Sequence, residues 1–408
     1  MTRWIILGVI LLLVEVYAFQ AVRTIIKAKW LLALIEVASI AVYIYVFYIL
    51  YGFDRSKGQT LQSMFAMGLM LVVLVPKMFI TIIMLIEDIF RILSAGVALV
   101  SKSDGQIFPE RRKFISQIAL GIAAVPFLSF IYGIAKGKYD FRVIRTTLFY
   151  DDLPDAFDGF QITHISDIHS GSFDNKEKIE YAIDLINMQN SDAIFFTGDI
   201  VNTHATEMYP WIDTFKKINM PKYGKFSVLG NHDYGEYIQW PSSREKLQNF
   251  EDIKGLHDKI DFKLLLNESV KIRKDGAEIN VVGVENWGHN FKKAGDLNLA
   301  SKDLTATDFK ILMTHDPSHW EYEVKQHPKN FQLSLCGHTH GFQFGIEIPG
   351  VIKWSPVQYV YKQWAGLYEN LGRYVYVNRG FGFHAYAGRV GIWPEITVIE
   401  LKKRGNVA

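Results

Sequence analysis

Apolar positions crowd into the first third of the chain and thin out after it. Trp4–Phe19 is an apolar run broken only by Glu15, and it can extend to Ile26. Leu31–Tyr51 is a second run, with one charge at Glu36. A third starts near Leu61 and passes Pro76 and Lys77 to about Leu85, after which Glu87, Asp88 and Arg91 read as an amphipathic turn. A fourth, from Phe114 to about Ile134, carries no charge. Each approaches the roughly 20 residues that cross a bilayer core. None shows the polar face at a 3.6-residue period that helices of a soluble bundle need. The pattern predicts an all-α transmembrane domain of about four helices over residues 1–135. Glu15 and Glu36 lie near span ends, where helix-end or interhelical pairing is expected.

Beyond residue 136 the pattern changes to short apolar runs alternating with amphipathic ones. FRVIRTTLFYDDLP reads as a strand and turn that open a second domain, 136–408. Strands follow at Phe160–Ser166, Ala193–Thr197, Lys225–Leu229, Phe262–Ile272, Glu278–Val284, Phe309–Met313, Phe331–Leu335, Tyr374–Val377 and Ile396–Leu401. Helices are expected over Lys176–Gln189, Tyr209–Ile218, Ser243–His257 and Ser318–Gln326, and Lys274-Asp275-Gly276 signals a hairpin. Alternating strands and helices, with a surplus of strands late, predict an α/β fold of two facing β-sheets flanked by helices.

Charge sets the expected orientation. Arg23, Lys27 and Lys29 follow the first run, and Lys102, Arg111, Arg112 and Lys113 precede the fourth; the opposite segments hold only Arg3, Arg55 and Lys57. The positive-inside rule then puts the two basic loops in the cytoplasm, with the N-terminus and everything beyond Ile134 on the outer face of the cytoplasmic membrane. Lys136, Lys138, Arg142 and Arg145 just past the last run pull the other way. ERRKFISQIAL looks like an embedded twin-arginine export signal, while ordinary positive-inside anchoring explains the same residues; both give one topology. A net charge of only +2 across 408 residues argues against a nucleic-acid partner. The single Cys336 excludes an internal disulfide and a Cys-rich zinc module, and its apolar strand makes it a packed thiol.

The strand ends carry the chemistry. FQITHISDIH delivers Asp167 and His169, separated by one residue and so on one face of an extended backbone. Later strands deliver Asp199, then Asn231 with His232, then His315, then His338 and His340. Open α/β sheets gather their sites at these carboxyl ends. Carboxylates, an amide and imidazoles are the inventory for two adjacent divalent cations that grip a phosphoryl group between them. Mixed oxygen and nitrogen donors suit manganese, iron or zinc, with manganese preferred. His164, His204, His257, His289, His319 and His327 stand outside these motifs and are expected to be structural.

SDIHSG, TGDIVN, GNHDYG, THDP and GHTHG, in that order over about 175 residues, resemble the calcineurin-like metallophosphoesterases, and NRGFGFHAYAGRVGIWPEIT resembles the ending of their membrane-linked or exported bacterial branch. The resemblance runs from Phe160 to the C-terminus and leaves the first 135 residues uncovered. It implies that Asp167, His169 and His340 hold one metal, that Asn231, His315 and His338 hold the other, and that Asp199 bridges them. It further implies attack by a metal-bridging hydroxide on a phosphomonoester, phosphodiester or pyrophosphate, with His232 as proton donor and Asp233 orienting its imidazole. Asn202 stands where that family often has an acidic residue. Arg379 is a candidate phosphate clamp and His384 a candidate pocket residue. The aromatics Tyr234, Tyr237, Trp240, Phe342, Phe344, Trp354, Tyr359, Tyr361, Trp364 and Tyr368 read as a lid over the site or as a rim for a lipid-linked substrate. Two alternatives stand beside this reading: a cytoplasm-facing pyrophosphatase of the UDP-diacylglucosamine type, and a non-catalytic membrane sensor or scaffold on the same fold.

Overall fold

Four long helices open the chain in the computed structural model, which describes residues 2–101 and 109–405. They are α1 (Thr2–Ile25), α2 (Lys29–Tyr51), α3 (Leu61–Ser101) and α4 (Pro109–Ala135). All four are long and apolar enough to cross a membrane. Lys102, counted above among the basic loop residues, lies outside the described residues. The expected turn after Leu85 is absent: α3 runs on as one helix through Glu87, Asp88 and Arg91. The charges there are satisfied without breaking the helix, because Arg112 from α4 reaches Asp88 at 2.7 Å and Arg111 reaches Glu87 at 3.3 Å. Glu15 is paired between helices, as expected. It accepts from Lys77 Nζ at 2.5 Å and from Ser39 Oγ at 3.0 Å, and Glu36 lies within electrostatic reach of both Glu15 and Lys77.

The chain divides into two compact units, Met1–Phe53 with Gln62–Ala135, and Asp54–Leu61 with Lys136–Ala408. In the second, strands follow in order as β1 (Arg142–Tyr150), β2 (Phe160–Ile165), β3 (Ala193–Phe196), β4 (Lys225–Ser227), β5 (Lys263–Leu264), β6 (Glu268–Lys274) and β7 (Ala277–Gly283). The later ones are β8 (Lys310–Met313), β9 (Leu333–Cys336), β10 (Ile346–Ile348), β11 (Ile352–Trp354), β12 (Gly366–Asn370), β13 (Arg373–Val377) and β14 (Glu395–Lys403). One six-stranded sheet has the order β1-β14-β2-β3-β4-β5, the other β12-β13-β9-β8-β7-β6, and β10-β11 form a separate hairpin. The inner strands β2-β3-β4 and β7-β8-β9 are parallel, so their carboxyl ends point one way.

Alternate residues make the core between the sheets. Ile162, Ala193, Phe195 and Val228 from the first meet Ile279, Val281, Ile311, Met313, Leu333 and Leu335 from the second. The opposite face of the second sheet buries Val282, Leu312 and Cys336 against Trp320. The Phe262–Ile272 run, expected as one strand, is two. Asn267 takes a left-handed φ of 56°, its carboxamide bonds Glu285 and the Ala294 carbonyl, and the chain crosses from one sheet to the other there. The Tyr209–Ile218 helix is reduced to a 3-10 turn, Tyr209–Trp211, and a single α-turn, Ile212–Phe215.

Candidate metal centre

Each site residue sits just past a strand that has run out of apolar residues. β2 ends at Ile165, so Asp167 and His169 are not on extended backbone: their φ angles are 52° and 47°. Asp199, His338 and His340 are left-handed too, at 60°, 72° and 49°. Five of the seven expected ligands therefore occupy a conformation that Asp and His tolerate better than most side chains yet disfavour by about 1–2 kcal/mol each. Such strain persists where surrounding contacts over-determine it. Here they do: Asp167 N donates to Gly198 O at 2.9 Å, His169 N to Asp199 O at 3.0 Å, and His338 N to the Asp167 carboxylate at 3.0 Å. Glycine is required beside the carboxylates, because a Cβ on Gly337 would strike Asp167 and one on Gly230 would strike Asp199.

The tertiary fold gathers the residues into two groups, Asp167–His169–His340 and Asp199–His315–His338, with the donor atoms of each group within 4.8 Å of one another. His169 Nε2 lies 3.0 Å from His340 Nε2, which is 3.1 Å from Asp167 Oδ1. Asp199 Oδ2 stands between the groups, 3.5 Å from His169 Nε2 and 3.1 Å from His315 Nε2. Asn231 joins the second group, its Oδ1 2.7 Å from His338 Nδ1.

The fit to cations can be tested on spacing and on hydrogen positions. Atoms bound about 2.1 Å from one ion at angles near 90° stand about 3 Å apart, which is the separation found. His169 Nδ1 faces Asn202 Oδ1 at 3.0 Å and His315 Nδ1 faces Thr197 O at 2.6 Å. Carbonyl oxygens only accept, so both imidazoles carry hydrogen on Nδ1 and turn Nε2 into the site. His315 Nε2 is buried and, despite its closeness to Asp199, has no aligned hydrogen-bond partner among the described residues. The residues fit divalent cations.

Electrostatics agree with that fit. Burial disfavours an imidazolium at His315, yet the Asp199 and Asp167 carboxylates outweigh it and push the group up to about 10. Burial likewise raises Asp167 and Asp199, and the neighbouring imidazoles more than offset it, so both carboxyls stay below their usual range. Burial first, and then the surrounding imidazoles, push His169 down; at His338 burial outweighs the Asp316 carboxylate, so that group is lowered as well. Two buried carboxylates call for positive charge at this point.

His232 Nδ1 lies 2.8 Å from Asn202 O, which fixes the hydrogen on Nδ1 and leaves Nε2 to exchange a proton. This corrects the role expected of Asp233. Its carboxylate does not touch the His232 ring; it accepts from the backbone N–H groups of Gly230 at 2.8 Å, Asp199 at 3.0 Å and Ile200 at 3.0 Å. A turn crowded with inward-pointing amides claims the carboxylate first. Asn202 does the orienting instead, its side chain toward His169 and its carbonyl toward His232.

Arg379 is no phosphate clamp. Glu395 at 2.5 Å and Glu347 at 2.6 Å enclose its guanidinium. His384 does reach the site, its ring stacked on His169 at 4.8 Å. His164, bonded to Thr197 Oγ1, and His257, bonded to Ser227 Oγ, are structural, and Cys336 is packed in β9. Three contributors were not legible as partners of the expected ligands. Tyr237 OH accepts from Asn231 Nδ2 at 2.6 Å, and Tyr361 OH lies 2.8 Å from His338 Nε2. Arg389, fully buried, holds the Gly380 and Gly382 carbonyls and stands 3.2 Å from His340 Nδ1. The aromatic rim contained both tyrosines, but only folding separates them from Tyr234 and Trp364, which are buried away from solvent. A cleft of 330 Å³ opens beside Asn231 and Tyr237, with Phe291 and Lys292 on its far wall.

Facing sheets with aspartates, histidines and an asparagine massed at their carboxyl edges define a metal-dependent hydrolase of phosphoric esters. Comparison with known proteins gives the family. The profile described as "Calcineurin-like phosphoesterase" matches residues 160–342, and "Probable Calcineurin-like phosphoesterase, transmembrane domain" matches residues 2–138. The chain is 32% identical over 260 residues to the "Uncharacterized metallophosphoesterase YkuE" of Bacillus subtilis, covering 61% of this chain and 82% of that one. It is 27% identical to phosphodiesterase YaeI of Escherichia coli over 71% of this chain and 98% of that one. To the "Transmembrane protein with metallophosphoesterase domain" of Danio rerio it is 25% identical, over 67% of this chain and 60% of the fish protein. The chain belongs to the calcineurin-like phosphoesterase family and is an enzyme with a four-helix membrane domain.

Proposed function

We propose that this chain is a membrane-anchored phosphodiesterase working with two divalent cations, manganese preferred. Its anchor would be residues 1–135 and its catalytic part residues 136–408. Asp167, His169 and His340 would hold one cation, Asn231, His315 and His338 the other, and Asp199 both. The observation that carries the reading is Asp199 Oδ2, within 3.5 Å of an imidazole nitrogen from each group. When bound, the cations would supply Lewis acidity at the phosphoryl oxygens and an activated water. His232, with Nδ1 tied to Asn202 O, would give a proton from Nε2 to the leaving oxygen. Tyr237 and Tyr361 hold Asn231 and His338 in place, and Asp233 fixes the turn that presents His232.

Two further features favour a lipid-linked substrate handled on the outer face of the cytoplasmic membrane. The basic residues around the end of α1, Arg23, Lys27 and Lys29, and at the start of α4, Arg111, Arg112 and Lys113, support that orientation over the cytoplasm-facing pyrophosphatase. The β10–β11 hairpin, which begins six positions after His340, is patterned inside out. Glu347 and Lys353 turn inward to Arg379 and the Ala365 carbonyl, while Ile346, Ile348, Val351 and Ile352 are exposed. Apolar side chains facing outward suit a surface that meets lipid.

The test uses the full chain, purified in detergent, stripped with EDTA and reloaded. Two manganese ions per chain and hydrolysis of bis(4-nitrophenyl) phosphate are expected, both falling in Asp199→Asn. A chain that binds a single ion, or that leaves the diester intact with manganese, iron and zinc alike, overturns the reading.

A further inference from the structure

The segment Asp54–Leu61 joins α2 to α3 in sequence yet folds as part of the catalytic unit. The bonds that dock it there include three to the loops around the site. Gln239 N donates to Arg55 O at 3.1 Å, Gln59 Nε2 donates to Ala385 O at 3.2 Å, and Ala385 N donates to Gln59 Oε1 at 3.1 Å. The Gln59 carboxamide thus pairs with both backbone groups of one residue, as a neighbouring strand would. That residue is a left-handed alanine, φ 65°, a conformation that needs outside support.

The residue before it is His384. Its ring stacks on His169 at 4.8 Å and 18° and meets His232 edge-on at 4.5 Å and 68°. One nitrogen from each of the three rings falls within 4.8 Å of the others. His384 N donates to Gln343 Oε1 at 2.5 Å, so the backbone is held on both sides of the ring. Its Nδ1 is buried with no hydrogen-bond partner among the described residues. A buried imidazole nitrogen without a partner is costly unless a ligand supplies one. The His384 ring lies beside that of His232, the proton-donor candidate, so a substrate oxygen approaching His232 would meet it as well.

We propose that His384 is a substrate-contacting residue that binds a phosphoryl or ester oxygen alongside His232, and that Gln59 is the positioning residue that holds it there. The proposal rests on the phosphodiesterase reading above. The α2–α3 connection is on this account a working part of the active site. No charge change is required of His384; its ring needs only to present an N–H to an oxygen acceptor.

A double-mutant cycle in the full chain tests it. His384→Ala should lower kcat/KM on bis(4-nitrophenyl) phosphate about 10²-fold, comparable with loss of one oxyanion donor, with metal content unchanged. Gln59→Ala should cost about tenfold, seen mainly as raised KM, and should cost nothing further in the His384→Ala background. Gln59→Glu, which keeps the acceptor for Ala385 N–H but not the donor, should fall between. Docking is read separately by joining Arg55→Cys to Gln239→Cys with a short bismaleimide, Cys336 being buried. Wild-type kinetics in His384→Ala, additive losses in the double variant, lost metal or absent cross-linking would each overturn the proposal. If the wild type cleaves no ester, the enzymatic reading fails instead. Orthophosphate affinity of the manganese-loaded chain, expected to weaken about tenfold in both single variants, and the cross-link then still decide this inference.

Discussion

His315 Nε2 stands 3.1 Å from Asp199 Oδ2 and makes no aligned hydrogen bond with it. The two atoms come from different sheets, at the ends of β8 and β3. Their closeness reflects a shared demand for positive charge, met without an ion by a proton on the imidazole. Binding a cation there must expel that proton, because a ligating nitrogen is bare. With His315 pushed up to about 10 by Asp199 and Asp167 against burial, loading at pH 8 should release about one proton from this group. Calorimetry in buffers of different ionisation enthalpy measures the release. His315→Ala should abolish it, and a release unchanged in that variant would refute the assignment.

Stripping the metal should also soften the fold. Each ion at a hundredfold excess over its Kd adds about 2.7 kcal/mol if it binds only the native state. Thermal midpoints of the EDTA-treated and manganese-loaded chain should therefore differ by several degrees. The gap should shrink most in Asp199→Asn, which touches both groups, and less in His169→Ala or His315→Ala.

Asp233 should behave as a structural clamp. Asp233→Ala leaves three buried N–H donors without acceptors, so a loss of about 3 kcal/mol or more is expected. Asp233→Asn keeps one acceptor oxygen and should lose less. Denaturant midpoints check the order; equal stability in all three proteins would return Asp233 to the role of an imidazole partner.

Acid should destabilise the protein through two buried histidines that hold no metal. Burial pushes His164 down to about 4 and His257 down to about 3, against about 6.5 in the unfolded chain. The folded state therefore binds fewer protons. Stability is full above about pH 6.5 and falls as pH drops toward each folded value, by about 1.4 kcal/mol per pH unit for each group. His257→Gln should flatten that slope between pH 6.5 and 5, read from denaturant midpoints, whatever its effect at pH 8.

The outward-facing apolar hairpin predicts selective kinetics. Val351 and Ile348 are 78% and 52% exposed, so aspartate there breaks no core contact. Val351→Asp with Ile348→Asp should raise KM about tenfold for a phosphodiester lipid presented in vesicles. Hydrolysis of soluble bis(4-nitrophenyl) phosphate should stay within twofold. Equal effects on both substrates would dispose of the lipid role.

Local pattern alone determined a great deal here. Four apolar runs long enough to span a bilayer, the alternation of strands and helices, and seven oxygen and nitrogen donors at strand ends were all legible, because each depends on residue type and short-range spacing. The reason first assigned to Asp167 and His169 did not survive: left-handed turns, not extended backbone, aim them inward. Nor could spacing show that Asp233 would be claimed by three amides, that Glu395 and Glu347 would enclose Arg379, or that Gln59 would lie beside Ala385. Those outcomes were left to tertiary structure because a buried polar group binds whichever partner the folded chain brings within 3 Å, and sequence separation says nothing about which one that is.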